Sequence, residues 1–302
     1  TADSFTQLAG TGTTSFAGLI AITNAFDFTG SALQINGVGA NTVGTTMDVT
    51  NAGLFTLAVG ANLTVGGEFV QDGAGLNSIG GDITSTNDGI AFATGITLTN
   101  NVTMTSGAGA GDDIVLSSTV AGGASSLTLN AGAGGNVTVT GAATGFDGAG
   151  NSFVVTNGAA VALNNVTTDT GGISITGAGI TLNGTTYTSG DGAVAFVGPV
   201  TLTGDTTVTS GLGAGDNISF SSTIGGAGLD LTLVAGLGNI QVTGAVGGGG
   251  ALDALQVTSA ADATFGAAVS ASSFTQAAGT GTTAFNGLIA ITNAFDFTGS
   301  AL

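Results

Sequence analysis

The stretch TLTNNVTMTSGAGAGDDIVLSSTVAGG, residues 97–123, contains the pattern that decides the fold. Its apolar residues come in pairs separated by one position, such as Val102 with Met104 and Ile114 with Leu116. Such alternation over a few residues predicts short, half-buried β-strands. The Gly, Asn and Asp residues between the pairs predict tight turns. This stretch therefore predicts several short strands joined by Gly/Asn/Asp turns.

The same alternation recurs along the chain, and no window has a helical period. Gly and Thr, which are frequent throughout, also disfavour helix. We therefore predict an all-β protein. Further alternating pairs are Ile96/Leu98, Leu127/Leu129, Val137/Val139, Ile173/Ile175, Ile180/Leu182, Val200/Leu202, Ile218/Phe220, Leu231/Leu233 and Ile240/Val242.

The chain repeats itself at two distances. Residues 97–123 align with residues 201–226 at a shift of 104 positions, and the similarity extends over 84–141 and 188–244. Repetition at a fixed period is typical of stacked, quasi-one-dimensional folds. The internal repeat therefore indicates growth by duplication of a structural module.

A second, longer repeat relates residues 4–33 to residues 273–302. The two copies differ at three of thirty positions, Leu8/Ala277, Ser15/Ala284 and Ala17/Asn286. We therefore expect residues 1–269 to be one long tandem repeat and residues 270–302 to begin the next. On this interpretation residues 1–302 are one continuous solenoid and a fragment of a longer array.

Two all-β architectures fit a period near 100 residues. A string of immunoglobulin-like sandwiches has domains of about that length, but it requires longer strands and recognisable linkers. Here each strand carries about two inward residues, and Pro199 is the only proline. A parallel β-helix, or β-solenoid, fits better. With about 20–25 residues per coil it would have about 12–15 coils stacked about 4.8 Å apart.

Composition argues against several classes of function. The chain has 18 acidic residues but no Lys, Arg, His, Cys or Trp. Without cations it has nothing to neutralise nucleic-acid phosphates, and it lacks the usual catalytic bases and nucleophile activators. No apolar run approaches the 18–20 or so residues of a membrane-spanning helix. We expect neither an enzyme, nor a nucleic-acid-binding protein, nor a membrane-spanning chain.

The Thr-, Gly- and Asn-rich segments resemble giant repetitive β-strand proteins of bacterial surfaces, which are similar to filamentous haemagglutinins and related secreted adhesins. The resemblance rests on the style of TLTGDTTVTSGLGAGDNISFSSTIGG (201–226), SSLTLNAGAGGNVTVTGA (125–142) and ADATFGAAVSASSFTQAAGTGTTAFNG (261–287). It implies an exported, right-handed parallel β-helix that forms a fibre at the bacterial cell surface or outside the cell. It implies no catalytic or binding residue. The absence of Lys and Arg departs from typical members.

From this resemblance we expect a structural component of an extracellular fibre or cell-surface adhesin. Its expected partner is itself, end to end as a longer chain and laterally in bundles, together with an unidentified surface or glycan ligand. The alternatives are a ligand-binding solenoid, for calcium, glycan or ice, and the string of immunoglobulin-like domains.

Two turns resemble the calcium-binding nonapeptide G-G-x-G-x-D-x-U-x of some solenoids. They are GAGAGDDIV, residues 107–115, and GLGAGDNIS, residues 211–219. If calcium binds, Asp112, Asp113 and Asp216 are the expected ligands, because this cation prefers carboxylate and carbonyl oxygens. The alternative is that both segments are plain turns, since they lack the double glycine and do not recur in tandem. No other cofactor is expected.

The Phe residues, the Thr-x-Thr units and the N-glycosylation sequons are interpreted mainly as structural features rather than as functional sites. The Phe residues, including Phe26 and Phe28 with their repeats Phe295 and Phe297, are expected to stack as core ladders rather than to form a binding platform. The Thr-x-Thr units are expected on solvent faces, with spacing too irregular for an ice-binding array. They lie at 97–99, 103–105, 138–140, 201–203 and 207–209. Sequons for N-glycosylation begin at Asn62, Asn101, Asn136, Asn165, Asn183 and Asn217.

Overall fold

The structure, a computed structural model, describes all of residues 1–302 and contains thirty-eight β-strands and no helix. As far as β33 successive strands belong to three sheets in turn, and strands of the same sheet in neighbouring coils pair in parallel. The result is a β-solenoid of about 14 coils with three parallel sheets. The predicted all-β fold and parallel β-helix are therefore confirmed, while the right-handed sense stays a prediction. Without any helix, the chain has no long apolar helix able to cross a bilayer.

The chain forms two compact units, which are described separately. Unit 1 contains residues 1–147 and 155–159, and unit 2 contains residues 148–154 and 160–302. The single continuous solenoid expected over residues 1–302, with its 269-residue repeat, stays a prediction.

The strands of unit 1 are short, most of them three to five residues long. They are β1 (Phe5–Gln7), β2 (Thr13–Phe16), β3 (Ala21–Ile22), β4 (Phe26–Gly30), β5 (Ala32–Ile35), β6 (Gly39–Val43), β7 (Met47–Asn51), β8 (Phe55–Leu57), β9 (Ala61–Val65), β10 (Phe69–Gln71), β11 (Asn77–Ile79), β12 (Ile83–Ser85), β13 (Ile90–Phe92), β14 (Ile96–Leu98), β15 (Val102–Thr105), β16 (Ile114–Leu116), β17 (Val120–Ala121), β18 (Leu127–Asn130), β19 (Val137–Val139) and β20 (Ala143–Phe146). Strand β21 (Asn151–Asn157) contributes residues to both units.

The strands of unit 2 are similar, apart from three longer ones near the C-terminus. They are β22 (Val161–Leu163), β23 (Val166–Thr168), β24 (Gly172–Thr176), β25 (Ile180–Leu182), β26 (Thr186–Ser189), β27 (Val194–Val197), β28 (Val200–Leu202), β29 (Thr206–Thr209), β30 (Ile218–Phe220), β31 (Ile224–Gly225), β32 (Leu231–Val234), β33 (Ile240–Val242), β34 (Leu252–Ser259), β35 (Ala263–Phe265), β36 (Val269–Gln276), β37 (Thr283–Phe285) and β38 (Ile289–Phe297).

In unit 1 every third strand is a neighbour, and in unit 2 this holds as far as β32 and β33, after which every second strand is a neighbour. In unit 1 the first sheet runs β1-β4-β7-β10-β13-β16-β19, the second β2-β5-β8-β11-β14-β17-β20, and the third β3-β6-β9-β12-β15-β18. In unit 2 the first sheet runs β22-β25-β28-β31, the second β23-β26-β29-β32-β34-β36-β38, and the third β24-β27-β30-β33-β35-β37. Each coil therefore contributes about one strand to each sheet.

The pattern of burial follows the alternation in the sequence. In β16 Ile114 and Leu116 are fully buried while Val115 between them faces outward, and β30 repeats this with Ile218 and Phe220. Rings stack on rings in successive coils, as expected for aromatic ladders. The Phe69 and Phe92 centroids are 5.1 Å apart in unit 1. Stacked pairs in unit 2 are Phe196/Phe220 at 4.9 Å and Phe265/Phe285 at 5.0 Å.

Some glycines are required by the close approach of successive coils. A β-carbon on Gly44 would lie 1.9 Å from the carbonyl oxygen of Thr23, and one on Gly66 would lie 2.0 Å from the carbonyl oxygen of Gly44. These residues occupy the same corner in three consecutive coils. At this corner the coils can stack only because the residue that faces the coil below has no side chain.

Candidate functional site

The most regular polar feature of unit 2 is a ladder of Asn and Asp side chains that links successive coils. Asn217, Asn239 and Asp262 stand directly before β30, β33 and β35. The Oδ1 atom of Asn217 accepts a hydrogen bond from the backbone N–H of Asn239 (2.7 Å), and Asn239 Oδ1 accepts from Asp262 (3.0 Å). Asp262 Oδ1 accepts from Thr282 at 2.7 Å. Each side chain thus satisfies a donor that precedes the strand of the next coil.

The backbone reinforces each of these links. Ile218 N–H donates to the Asn239 carbonyl (2.9 Å), and Ile240 N–H donates to the Asp262 carbonyl (2.8 Å). Asn239 therefore bonds to the preceding coil through its backbone N–H and carbonyl, and to the following coil through its side-chain oxygen. We call this arrangement of an Asn or Asp side chain bonded to the next coil an Asx link.

Asx links also occur elsewhere in unit 2 and in unit 1. Asp205 accepts from Asp230 N–H at 3.0 Å, and Asp230 accepts from Ala254 N–H at 2.9 Å. In unit 1 the acceptor–donor pairs are Asn62/Asp82 (3.1 Å), Asp82/Thr103 (2.8 Å), Asn101/Ser126 (2.9 Å) and Asp113/Asn136 (2.7 Å).

Turns, sequons and a candidate calcium ligand were predicted at these residues, but the links were not, although the sequence contains a signal for them. Each accepting residue of this group except Asp205 is Asn or Asp followed directly by an apolar strand residue, as in Asn101-Val102 and Asp113-Ile114. A short side chain with an acceptor at this position can reach one coil spacing along the stack, about 4.8 Å. Four sequon residues, Asn62, Asn101, Asn165 and Asn217, are accepting residues of Asx links.

The three residues predicted as calcium ligands have structural hydrogen bonds. Asp112 Oδ2 accepts from Gly109 N–H (2.7 Å), and Asp216 Oδ2 accepts from Gly213 N–H (2.8 Å), so both carboxylates close the same kind of turn. Asp113 belongs to an Asx link. No three acidic side chains lie close enough together to hold a metal ion. These contacts support the plain-turn alternative, and calcium binding stays a prediction.

A buried amide network lies at the corner between the first and second sheets of unit 1. Gln71 Nε2 donates to Asn51 Oδ1 (2.7 Å), while Gln71 Oε1 accepts from Asn77 Nδ2 (3.2 Å) and from the Thr94 hydroxyl (3.1 Å). Asn77 Oδ1 is buried and has no hydrogen-bond partner in the protein. The network ties three consecutive coils together at a corner that apolar side chains do not fill.

An open groove of about 400 Å³ lies over this corner. It is lined mostly by small residues, with no ionisable side chain, so it offers apolar contacts and a few hydroxyl and backbone groups. Its lining residues are Leu8, Ala9, Gly10, Thr11, Thr29, Gly30, Thr50, Asn51, Ala52, Gly73 and Ala74.

An acidic face lies on the first sheet of unit 1. Asp27 and Asp48 are directly paired neighbours on β4 and β7. Burial raises the pKa of Asp48, and repulsion from Asp27 and then Asp72 raises it further. Burial also raises the pKa of Glu68, with repulsion from Asp88 and Asp48 added. Because the chain has no Lys or Arg, no side-chain cation offsets this repulsion.

Outward-facing threonines are aligned on the second sheet of unit 2. Thr186 pairs with Thr207 and Thr207 with Thr232, while Thr167 pairs with Thr188 and Thr188 with Thr209. We call these six residues the threonine face. Apart from a 3.5 Å contact between the Thr185 and Thr186 hydroxyls, no hydroxyl of the face has a partner in the protein. The five Thr-x-Thr units of the sequence analysis are spread over all three sheets, and only 207–209 contributes to this face.

The two copies of the thirty-residue repeat build the same cluster of rings. We call it the phenylalanine triad: Phe5, Phe16 and Phe26 in the first copy, and Phe274, Phe285 and Phe295 in the second. In the first copy the ring centroids are 5.2 Å apart for Phe5/Phe16, 4.6 Å for Phe5/Phe26 and 5.6 Å for Phe16/Phe26. The corresponding distances in the second copy are 5.1, 5.0 and 5.9 Å.

A polar contact beside the triad is repeated as well. The Thr14 hydroxyl donates to Gln7 Oε1 at 2.7 Å, and the Thr283 hydroxyl donates to Gln276 Oε1 at 2.6 Å. The sequence repeat therefore repeats both the ring cluster and this hydrogen bond.

Comparison with known proteins identifies no relative. No protein-family model matches the chain, and searches of curated proteins and of solved structures found no match. Interpretation of function therefore depends on the residues and their geometry.

Proposed function

We propose that the chain is a structural module that adds length to an extracellular fibre or cell-surface adhesin built from tandem β-solenoid repeats. The observation that carries this proposal is the phenylalanine triad, which recurs with the same ring contacts after 269 positions. A segment that restores the same coil geometry at a fixed interval is what a protein needs to extend by repetition. Expected partners are further copies of itself, end to end and in lateral bundles.

The means of stabilisation suit a fibre of this kind. Ion pairs between side chains cannot form, so backbone ladders, Asx links and the apolar interior hold each unit together. Without Lys or Arg the chain offers no site for trypsin-type proteases, an advantage outside the cell. The resemblance to bacterial surface adhesins supports the same location.

The proposal is tested by immunogold electron microscopy of intact source cells, with an antibody raised against residues 1–302. We expect gold particles in rows along fibres that project from the cell surface. A matched sample treated with a trypsin-type protease should keep its fibres, because the repeat contains no cleavage site. Labelling confined to permeabilised cells would contradict the proposal.

A second candidate function, binding of ice, is favoured by the threonine face. Its hydroxyls are spaced by the sheet itself, about 4.8 Å between coils and about 6.6 Å between alternate residues of one strand. Neighbouring hydroxyls such as those of Thr207 and Thr232 have no partner in the protein, so they are available to ordered water. The spacing of the Thr-x-Thr units in the sequence is irregular and did not predict this regular array.

This candidate is tested by following ice recrystallisation in the presence of the purified chain. If the face binds ice, the wild type slows crystal growth and Thr207→Lys abolishes the effect, because a charged side chain stands in the middle of the array. Thr181→Lys is the matched control, since Thr181 faces outward on a different sheet. Unchanged crystal growth with the wild type would rule the function out.

A further inference from the structure

The two copies of the thirty-residue repeat belong to different sheets of the solenoid. In the first copy Phe5 lies on the first sheet and Phe16 on the second. In the second copy the counterpart of Phe5, Phe274, lies on the second sheet, and the counterpart of Phe16, Phe285, lies on the third. Each ring of the second copy is therefore one sheet further on, although the contact between the two rings is kept.

The part of the repeat on the third sheet shows the same shift. Ile22 lies on the third sheet in β3, and its counterpart Ile291 pairs with Ala271 of β36. This half of β36 continues the first sheet, because Val246 forms parallel bridges to β31 on one side and to Val269 on the other. The third sheet is thus followed by the first, and all three parts of the coil advance together.

The number of coils between the copies agrees with this shift. Phe5 lies on the first strand of the first sheet, whereas Phe274 lies on β36, the thirteenth of the fourteen strands of the second sheet. The repeat of 269 residues therefore contains twelve coils and one third of another. With coils about 4.8 Å apart, each repeat adds about 59 Å of solenoid.

We propose that each repeat presents its surface features one sheet further round the solenoid than the repeat before it. The inference rests on the proposed function, because it requires consecutive repeats in one fibre, and it deepens that function by naming how the surfaces are displayed. The threonine face lies on the second sheet, so the next repeat carries it on the third sheet and the following repeat on the first. The face returns to its original sheet only after three repeats.

The shift determines which surfaces a neighbouring fibre can reach. The acidic pair Asp27/Asp48 lies on the first sheet, and the threonine face lies on the second. If the repeats were in phase, every acidic pair would lie along one side of the fibre and every threonine face along another. With the shift, each side carries both surfaces in turn. A parallel fibre of the same protein, the expected lateral partner, therefore meets the same surfaces from every direction.

A disulfide within the chain tests the shift, because the chain has no cysteine of its own. Gln256 and Thr275 are directly paired on β34 and β36 of the second sheet, beside the buried Phe274. Paired residues of neighbouring strands are about 4.8 Å apart, which lies within the usual range for a disulfide. We expect the double variant Gln256→Cys/Thr275→Cys to form an intramolecular disulfide under mild oxidation, detected by mass spectrometry of peptic peptides.

The matched control places the cysteines where repeats in phase would bring them together. If Phe274 lay on the first sheet beside Val246, then Ser273 would be the neighbour of Ala245. The yield of disulfide from Gln256→Cys/Thr275→Cys should exceed that from Ala245→Cys/Ser273→Cys at least tenfold. Yields that do not differ, or a larger yield from the control, would overturn the shift.

Display along the fibre is tested with an antibody Fab fragment that binds the chain and its Thr181→Lys variant but not Thr207→Lys. Electron microscopy of intact surface fibres should show bound Fab fragments about 59 Å apart along the axis, with successive ones on different sides. Fab fragments along one side only would overturn the inference and leave the proposed function standing. Source cells without fibres would overturn the proposed function, and the disulfide yields would still decide the shift.

Discussion

Residues 19–33 and 288–302 have the same sequence, LIAITNAFDFTGSAL, but different surroundings. In the first segment Phe26 lies between β1 and β7 and is fully buried, while in the second Phe295 is covered on one side only. The ring contact is nevertheless the same, since both segments stack a ring on the preceding coil. The strands differ, because β38 is one strand where the first copy has β3 and β4. In a solenoid the sequence of a coil determines its internal contacts, whereas the position of the coil in the stack determines how far its side chains are buried.

The largest expected difference between the two copies concerns these rings. We expect Phe26→Ala to lower the free energy of unfolding by about 3–5 kcal/mol, because it leaves a cavity in a closed core. Phe295→Ala should cost about 1 kcal/mol or less, since part of the ring already faces water. Urea unfolding followed by circular dichroism measures both. Equal losses would show that the C-terminal coil is covered as fully as the N-terminal one.

A smaller difference is expected for the repeated Thr–Gln hydrogen bond. Thr283 is buried, so Thr283→Val should leave Gln276 Oε1 without its partner and cost about 1–3 kcal/mol. Thr14→Val in the first copy should cost less than about 1 kcal/mol, because water can reach Gln7. Thermal unfolding of the two single variants gives the comparison. A larger loss for Thr14→Val would reverse the predicted order of burial.

The copies also differ in electrostatics, because Asp27 is paired with Asp48 while its counterpart Asp296 is at an open edge. The pKa of Asp48 is raised by burial and then by its acidic neighbours, so the folded state holds this proton more tightly than the unfolded state. The stability that this provides is complete below the unfolded pKa and is lost as pH rises through the folded pKa. The temperature at the midpoint of thermal unfolding should therefore decrease as the pH is raised from about 4 to neutrality.

Substitution separates this contribution from the general charge of the chain. Asp48→Asn should raise the unfolding midpoint at neutral pH and flatten its pH dependence, whereas Asp296→Asn should change little. Added salt should narrow the gap between Asp48→Asn and the wild type, because screening weakens repulsion among exposed carboxylates. A lower midpoint for Asp48→Asn would mean that the carboxylate stabilises the fold.

The smallest effect is expected where the copies differ in sequence. Leu8 and its counterpart Ala277 are both exposed, as are Ala17 and Asn286. Leu8→Ala should therefore change the free energy of unfolding by less than about 0.5 kcal/mol. Differential scanning calorimetry is sensitive enough to detect a larger change, which would show that Leu8 packs against a neighbour.

Much of the fold could be predicted because the strands are encoded locally. The pairs Ile114/Leu116 and Ile218/Phe220 lie inward in three-residue strands, as alternation requires. Coil lengths also agree with the expected range, since Phe5 pairs with Phe26 after 21 residues and Ile90 with Ile114 after 24. These features depend on residues close together in sequence.

The candidate sites were harder to predict because their partners lie one coil away. Asn217 bonds to Asn239 after 22 residues, whereas Asn101 bonds to Ser126 after 25, so no fixed spacing reveals an Asx link. The threonine face was missed for the same reason, since Thr186 and Thr207 are aligned only once the register is known. Variable turn length hides such contacts until the coils are stacked.

Hydrogen exchange of the two identical segments tests the central claim most directly. Their intrinsic exchange rates are nearly the same, and peptides that begin at Ala17 and Asn286 differ in mass, so both can be followed in one digest. Phe26 N–H donates to the Thr46 carbonyl in the next coil at 3.0 Å, while the corresponding edge of β38 has no strand beyond it. We predict that the peptide from residue 17 exchanges at least a hundredfold more slowly. Equal protection of both peptides in dilute solution would contradict the claim that place in the stack determines burial.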